Sequence, residues 1–250
     1  ISKFLESNNN LSKASKIALS YDLQAGSYVQ TFFTNYHFQV ELNNYIYNRI
    51  KEYVINEFKE FNNIINICDF GTGESTNFVE LLNLFDTEKL NLNPYGMDIS
   101  LSRLYVANNF AKIYSKHLIP KYFLGDIAEI PIKDNSIDIA LTNHAIEPNG
   151  GREDEIVNEL VRVTRGFLVL TEPIYENSSQ AQRERMEYYG YITKLKTKLY
   201  EHPSISVIYE SLLPSELYKP ENKVYSGDIR QGGFPELNRS TILIAKKNNF

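Results

Sequence analysis

Three aspartates stand at nearly equal intervals through the middle of the chain: Asp69, Asp98 and Asp126, 29 and 28 residues apart. Each closes a short apolar run, and the interval is the length of one strand, one turn and one helix. Residues 64–70 (Ile-Ile-Asn-Ile-Cys-Asp-Phe) form the first run, ended by Gly71-Thr72-Gly73. A largely apolar stretch of this length bounded by glycine is the mark of a strand buried on both faces. Phe78, Leu81, Leu82 and Phe85 follow at helical spacing. The unit then recurs. Residues 94–98 read as a strand, and Leu101, Leu104, Ala107, Ala111 and Tyr114 share one face of the next helix. Residues 121–124 and 137–143 give a third and a fourth strand, with Pro131 and the turn Asp134-Asn135-Ser136 between them. A helix over 153–163 leads into a fifth strand, 166–171, stopped at Pro173. This alternation forces an α/β fold, a doubly wound parallel sheet with helices on both faces. Residues 204–210 and 240–246 read as two more strands without a crossover helix between them, so the final pair should be antiparallel and joined by a long loop.

Upstream, Ile46, Ile50, Tyr53, Val54, Phe58 and Phe61 fall on one face of a helix, with Lys51, Glu52, Lys59 and Glu60 elsewhere on it. With no internal repeat, the expected organisation is a helical N-terminal extension, 1–62, and one main domain, 63–250.

Composition excludes several roles. The net charge is −5 with both signs interspersed, so a nucleic-acid coat, which needs a basic face, is not expected. Charges and amides interrupt every hydrophobic run before the ~20 apolar residues that a membrane span requires. The residues from Ile1 onward hold no apolar core of a secretion signal. A single cysteine, Cys68, cannot form an internal disulfide, which suits a reducing cytoplasm, and with four scattered histidines no metal site is expected. The abundance of Asn, Ile, Lys and Tyr suits an AT-rich bacterial genome.

In an open α/β sheet, ligands bind at the carboxyl ends of the strands, so Asp69, Asp98 and Asp126 should line one cleft. Taken singly, each has the ordinary alternative of a turn or N-cap residue. The first turn, Asp69-Phe70-Gly71-Thr72-Gly73, lets backbone approach a ligand closely because glycine has no β-carbon. A dinucleotide fingerprint wants a third glycine where Thr76 stands, which weakens the alternative of a nicotinamide-dependent oxidoreductase.

With these residues in place, the chain resembles the class I S-adenosylmethionine-dependent methyltransferases, in particular their type 11, small-molecule group, over roughly residues 60–175. The resemblance implies a Rossmann-like, seven-stranded, mostly parallel sheet with an antiparallel last strand, and a helical lid. It implies S-adenosyl-L-methionine as cofactor. The turn containing Asp69, Gly71, Thr72 and Gly73 would hold the methionine part, Asp98 both ribose hydroxyls, and Ile99 the adenine face. Asp126 would take the adenine amino group, the Ile127 N–H a ring nitrogen, and Asn143 would complete the cofactor contacts. Asp138 and the run from Glu159 to Leu170 match the fourth strand, the following helix and the fifth strand. Where the family has Pro-Gly-Gly before that strand, this chain has Thr164-Arg165-Gly166.

The segment Tyr21-Asp22-Leu23-Gln24-Ala25-Gly26-Ser27-Tyr28 is similar to the family's lid, which places Tyr28 against the methionine carboxylate. His144-Ala145-Ile146-Glu147-Pro148-Asn149-Gly150-Gly151 follows the fourth strand, where the family presents the transferable methyl. His144 and Glu147 are therefore the catalytic candidates: a neutral imidazole suits proton removal near neutral pH, and Glu147 three residues on can orient it. The alternative is a tight turn with His144 packed under it. The stretch lacks the Asn/Asp-Pro-Pro-Tyr signature of amino-group methyltransferases, which weighs against a nucleobase or glutamine acceptor. Its Glu-Pro-Asn-Gly-Gly is similar to methyltransferases of surface-sugar synthesis, which implies a sugar or nucleotide-sugar acceptor, with a protein acceptor as the alternative. In the long loop before the last strand, Arg230, Gly232 and Gly233 are candidates for an anion cradle. The oligomeric state is left open.

Overall fold

The computed structural model describes residues 10–58, 63–88, 90–218 and 239–250. Phe61 of the expected helix, and Arg230, Gly232 and Gly233, lie outside the described residues. The helices are α1 (Lys13–Asp22), α2 (Ser27–Thr34), α3 (Tyr36–Ile50), α4 (Thr76–Phe85), α5 (Leu101–Tyr114), α6 (Glu153–Val163), α7 (Gln180–Tyr188) and α8 (Leu195–Glu201). The strands are β1 (Ile65–Phe70), β2 (Leu92–Asp98), β3 (Lys121–Leu124), β4 (Ile137–Asn143), β5 (Thr164–Glu172), β6 (Ile205–Leu212) and β7 (Thr241–Lys247). They make one sheet in the order β3-β2-β1-β4-β5-β7-β6. The first five are parallel, and β7 runs antiparallel to both its neighbours.

Adjacent residues of the central strands serve opposite faces, as the two-residue pleat dictates. Ile67, Ile139, Val169 and Ile244 meet Ile46 and Ile50 of α3 and Phe78 and Leu82 of α4 in one buried layer. Cys68, Ala140, Leu170 and Leu243 meet Ile156 and Leu160 of α6 and Leu195 and Leu199 of α8 in the other. Helix α3 thus shares the main core. It runs on through a π-helical turn, Lys51–Ile55, whose wider winding buries the neighbours Val54 and Ile55 together. The expected helical face contains Val54 but not Ile55, because a regular 3.6-residue period does not turn both inward. Between β5 and β6 the chain forms α7 and α8, which the apolar pattern did not mark. Among the described residues, no helix is long and apolar enough to cross a membrane.

At the amino ends of the strands, away from the ligand side, Asp138 ties three strands together. Its carboxylate accepts the Asn66 N–H at 2.8 Å and pairs with the Arg165 guanidinium.

Candidate functional site

The carboxyl ends of β1, β2 and β4 open into a cavity of about 380 Å³, within the usual size of a small-molecule site. Asp69, Gly71, Thr72, Gly73, Asp98, Ile99, Asp126, Ile127 and Asn143 all line it, together with Tyr28, His144 and Glu147.

The loop after β1 is tied to β2 by the Gly71 and Thr72 N–H groups, which both donate to the Met97 carbonyl at 2.7 and 2.9 Å. Gly71 sits at φ +77°, and a β-carbon there would lie 2.3 Å from Cβ of Ala145, so glycine is required on both counts. Asp98 accepts the Gly73 N–H on one carboxylate oxygen and the Ser100 N–H on the other, both at 2.8 Å. Each oxygen keeps a lone pair for a diol. Burial raises the Asp98 pKa, against the lowering effect of these N–H groups and of Arg103. Burial also pushes the Asp69 pKa up to about 7, with a further rise from the nearby Asp98 charge. Asp126 accepts the Ala128 N–H at 3.0 Å and pairs with Arg152 at 2.8 Å. The Pro148–Gly151 turn therefore has a function the sequence did not disclose: it delivers Arg152 to the carboxylate.

At the far end of β4, His144 adopts φ +53°, a conformation a β-carbon disfavours. Its N–H donates to the Thr171 carbonyl at 3.0 Å. Buried Glu172 holds the following turn by accepting the Ala145 N–H at 3.0 Å and the Ile146 N–H at 3.4 Å. Burial raises the Glu172 pKa to about 7, the His144 charge opposing the rise and Glu147 adding to it. His144 Nδ1 meets Glu147 at 2.5 Å, and Nε2 meets the Ser240 hydroxyl at 2.6 Å. A carboxylate only accepts, so Nδ1 carries a hydrogen toward Glu147, and in the neutral ring Nε2 then receives the Ser240 O–H. The structure thus brings His144 and Glu147 together and adds Ser240, 96 residues away.

Helices α1 and α2 roof the cavity. Glu74, 1% exposed, accepts the Gly26 N–H at 2.8 Å and the Val29 N–H at 2.6 Å. Asp22 accepts the Ser100 hydroxyl at 2.6 Å and the Ser102 N–H at 3.1 Å. Phe32, 1% exposed, lodges edge-on against Phe110 and Tyr114. Glu74, Arg103, Arg152 and Ser240 were not marked by sequence reasoning, and Tyr21 was marked only as part of the lid segment. Glu74 alone left a usable signal, an acid directly beside the glycine turn.

Residues 68–169 match a family model described as a methyltransferase domain. Over this stretch the chain is similar to the methyltransferase-domain family. Solved structures of other methyltransferases share the fold. The magnesium protoporphyrin IX methyltransferase of Synechocystis PCC 6803, solved with bound S-adenosylhomocysteine, superposes with a TM-score of 0.61 at 12% identity, covering 92% of this chain and 99% of that one. The geranyl diphosphate C-methyltransferase of Streptomyces coelicolor A3(2), solved with magnesium, geranyl diphosphate and S-adenosylhomocysteine, gives 0.56 at 10% identity, covering 73% and 70%. A search of curated protein sequences gives no match. The methyltransferase-domain match weighs against the nicotinamide alternative, and the fold is shared with a methyltransferase solved with S-adenosylhomocysteine.

Proposed function

We propose that this methyltransferase transfers a methyl group to a hydroxyl-bearing small metabolite, of the sugar or nucleotide-sugar class, that enters beside His144 and Glu147. One observation carries the reading: a single roofed cavity joins the Asp69–Asp98–Asp126 end to a second end lined by His144, Glu147, Gln182 and Arg185. The second end offers acceptors, donors and a cation, which suits hydroxyls and an anionic group better than a hydrocarbon acceptor. Lys13 of the roof donates to the Gly150 and Gly190 carbonyls, and a cavity covered in this way admits a metabolite more readily than a folded protein. The two solved relatives named above carry a porphyrin and an isoprenoid diphosphate in their names, and a small-molecule acceptor is the feature proposed in common.

The residues of the cavity fit the cofactor. Gly71 lets the loop close against Ala145, Asp98 retains lone pairs for a ribose diol, and Asp126 and Ile127 are the expected partners of adenine. The bound sulfonium supplies an electrophilic methyl, so the protein's task is alignment and proton removal. His144 takes the acceptor's proton at Nε2, which requires the acceptor hydroxyl to replace Ser240 there. Glu147 holds the Nδ1 hydrogen and stabilises the imidazolium that forms.

The test is a mass-spectrometric screen for S-adenosylhomocysteine formation, with nucleotide sugars, free sugars, isoprenoid diphosphates and a denatured protein extract as acceptors. Turnover with a sugar-bearing metabolite is expected. Turnover confined to the isoprenoid or the protein fraction would overturn the proposed acceptor class.

A further inference from the structure

We infer that Arg103 is the residue that binds the carboxylate of the cofactor's amino-acid end, with Tyr21 and Tyr28 of the roof holding its guanidinium in place. The inference rests on the cofactor assigned above and adds a contact that the sequence had placed on Tyr28. Arg103 belongs to the first turn of α5 and is 5% exposed. Its side chain lines the cavity. The guanidinium carbon lies 4.5 Å from the centre of the Tyr21 ring and 4.0 Å from that of Tyr28. It also lies beside the glycine loop: a β-carbon on Gly73 would stand 3.4 Å from that carbon.

Buried arginine nitrogens are nearly always hydrogen-bonded, because an unpartnered charged donor forfeits its hydration without return. Arg103 Nε and Nη2 are buried and make no hydrogen bond among the described residues. The Asp98 carboxylate feels the charge, but Arg103 Nε and Nη2 make no hydrogen bond to it. The arrangement is a planar, preoriented fork beside the turn expected to hold the methionine part, and a fork of this geometry matches a carboxylate. Cation–π contact with the two rings holds the guanidinium without consuming its hydrogens. Tyr28 therefore acts through Arg103, by its ring face, and its hydroxyl is not needed.

Two ligands separate this role from a structural one: S-adenosylhomocysteine, and its decarboxylated analogue S-adenosyl-3-thiopropylamine, which keeps the nucleoside, sulfur and amine. Calorimetry on the wild-type protein should find the carboxylate-bearing ligand tighter by about 10- to 100-fold, the range for hydrogen bonds to a charged group. In Arg103→Met that preference should collapse to about threefold or less, with the affinity for the analogue nearly unchanged. Tyr28→Phe should keep the preference. Equal binding of both ligands by the wild type, or an undiminished preference in Arg103→Met, overturns the inference, as does a preference lost in Tyr28→Phe alone. Should Arg103→Met fail to fold, Arg103→Lys, which keeps the charge but loses the planar fork, should lower the preference, and an undiminished preference there overturns the inference. A wild type that binds neither ligand would overturn the cofactor assignment itself.

Discussion

Removing the Glu74 carboxylate should unlatch the roof. Helix α2 begins at Gly26, whose lack of a side chain leaves the first N–H groups of the helix without a local cap. Glu74 supplies that cap from the glycine loop, accepting at both ends of the first turn. Each bond to a carboxylate contributes about 1–1.5 kcal/mol once the freed amides are allowed to rehydrate, and the charge at the helix N-terminus adds about 0.5. Glu74→Ala should therefore cost the docked roof about 3 kcal/mol, roughly a hundredfold in its opening equilibrium. Hydrogen exchange read by mass spectrometry, without ligand, should show residues 13–34 exchanging about a hundredfold faster, while β4 and α6 keep their protection. Glu74→Gln, which keeps the volume and one acceptor oxygen, should fall between. Protection of 13–34 in Glu74→Ala within about threefold of wild type would refute the latch and leave Phe32 and Asp22 as the anchors.

Asp98→Ala should weaken S-adenosylhomocysteine binding by about 2–4 kcal/mol in calorimetry, since charge-assisted bonds to the diol are lost; unchanged affinity rejects the ribose assignment. His144→Ala should lower turnover by about 10²–10⁴ with little change in cofactor affinity, whereas near-normal turnover would mean that alignment alone suffices. Glu172 binds its proton more tightly folded than unfolded, so its contribution to stability is largest below pH 4.5 and declines as the pH rises to about 7. Glu172→Gln should flatten that decline, and thermal unfolding at pH 5 and pH 8 reads the difference directly; parallel pH profiles for the two proteins would contradict it. Added S-adenosylhomocysteine should further protect residues 13–34 from exchange, and equal protection with and without it would make the roof a permanent cap.

The sheet was legible because its central strands are buried on both faces and are punctuated by Gly71, Gly73 and Pro173. Nothing of the kind marks α7: of its nine residues only Gln182 and Met186 are buried, so no apolar stripe forms. Cavity residues carried by the strand ends were legible for the same reason as the strands, since position after an apolar run locates them. Arg103 was not, because on its own helix it looks like an ordinary polar residue beside Leu104, and only the roof folding back buries it. Nor could spacing pair His144 with Ser240, whose contact exists because β7 enters the sheet beside β5 in the reverse direction.

That reversal has a consequence for how the molecule comes into being. Thr241 opposes Glu172, so β7 starts at the cavity end of the sheet and fills the gap between β5 and β6. Strand β6 is made earlier on the ribosome yet has no strand to zip against until β7 emerges. Such distant pairings form late, after their loop-closure entropy has been met. The imidazole gains its Ser240 partner in that same closing event. A chain terminated before β7 would thus be left with β6 undocked and with His144 lacking its Ser240 contact.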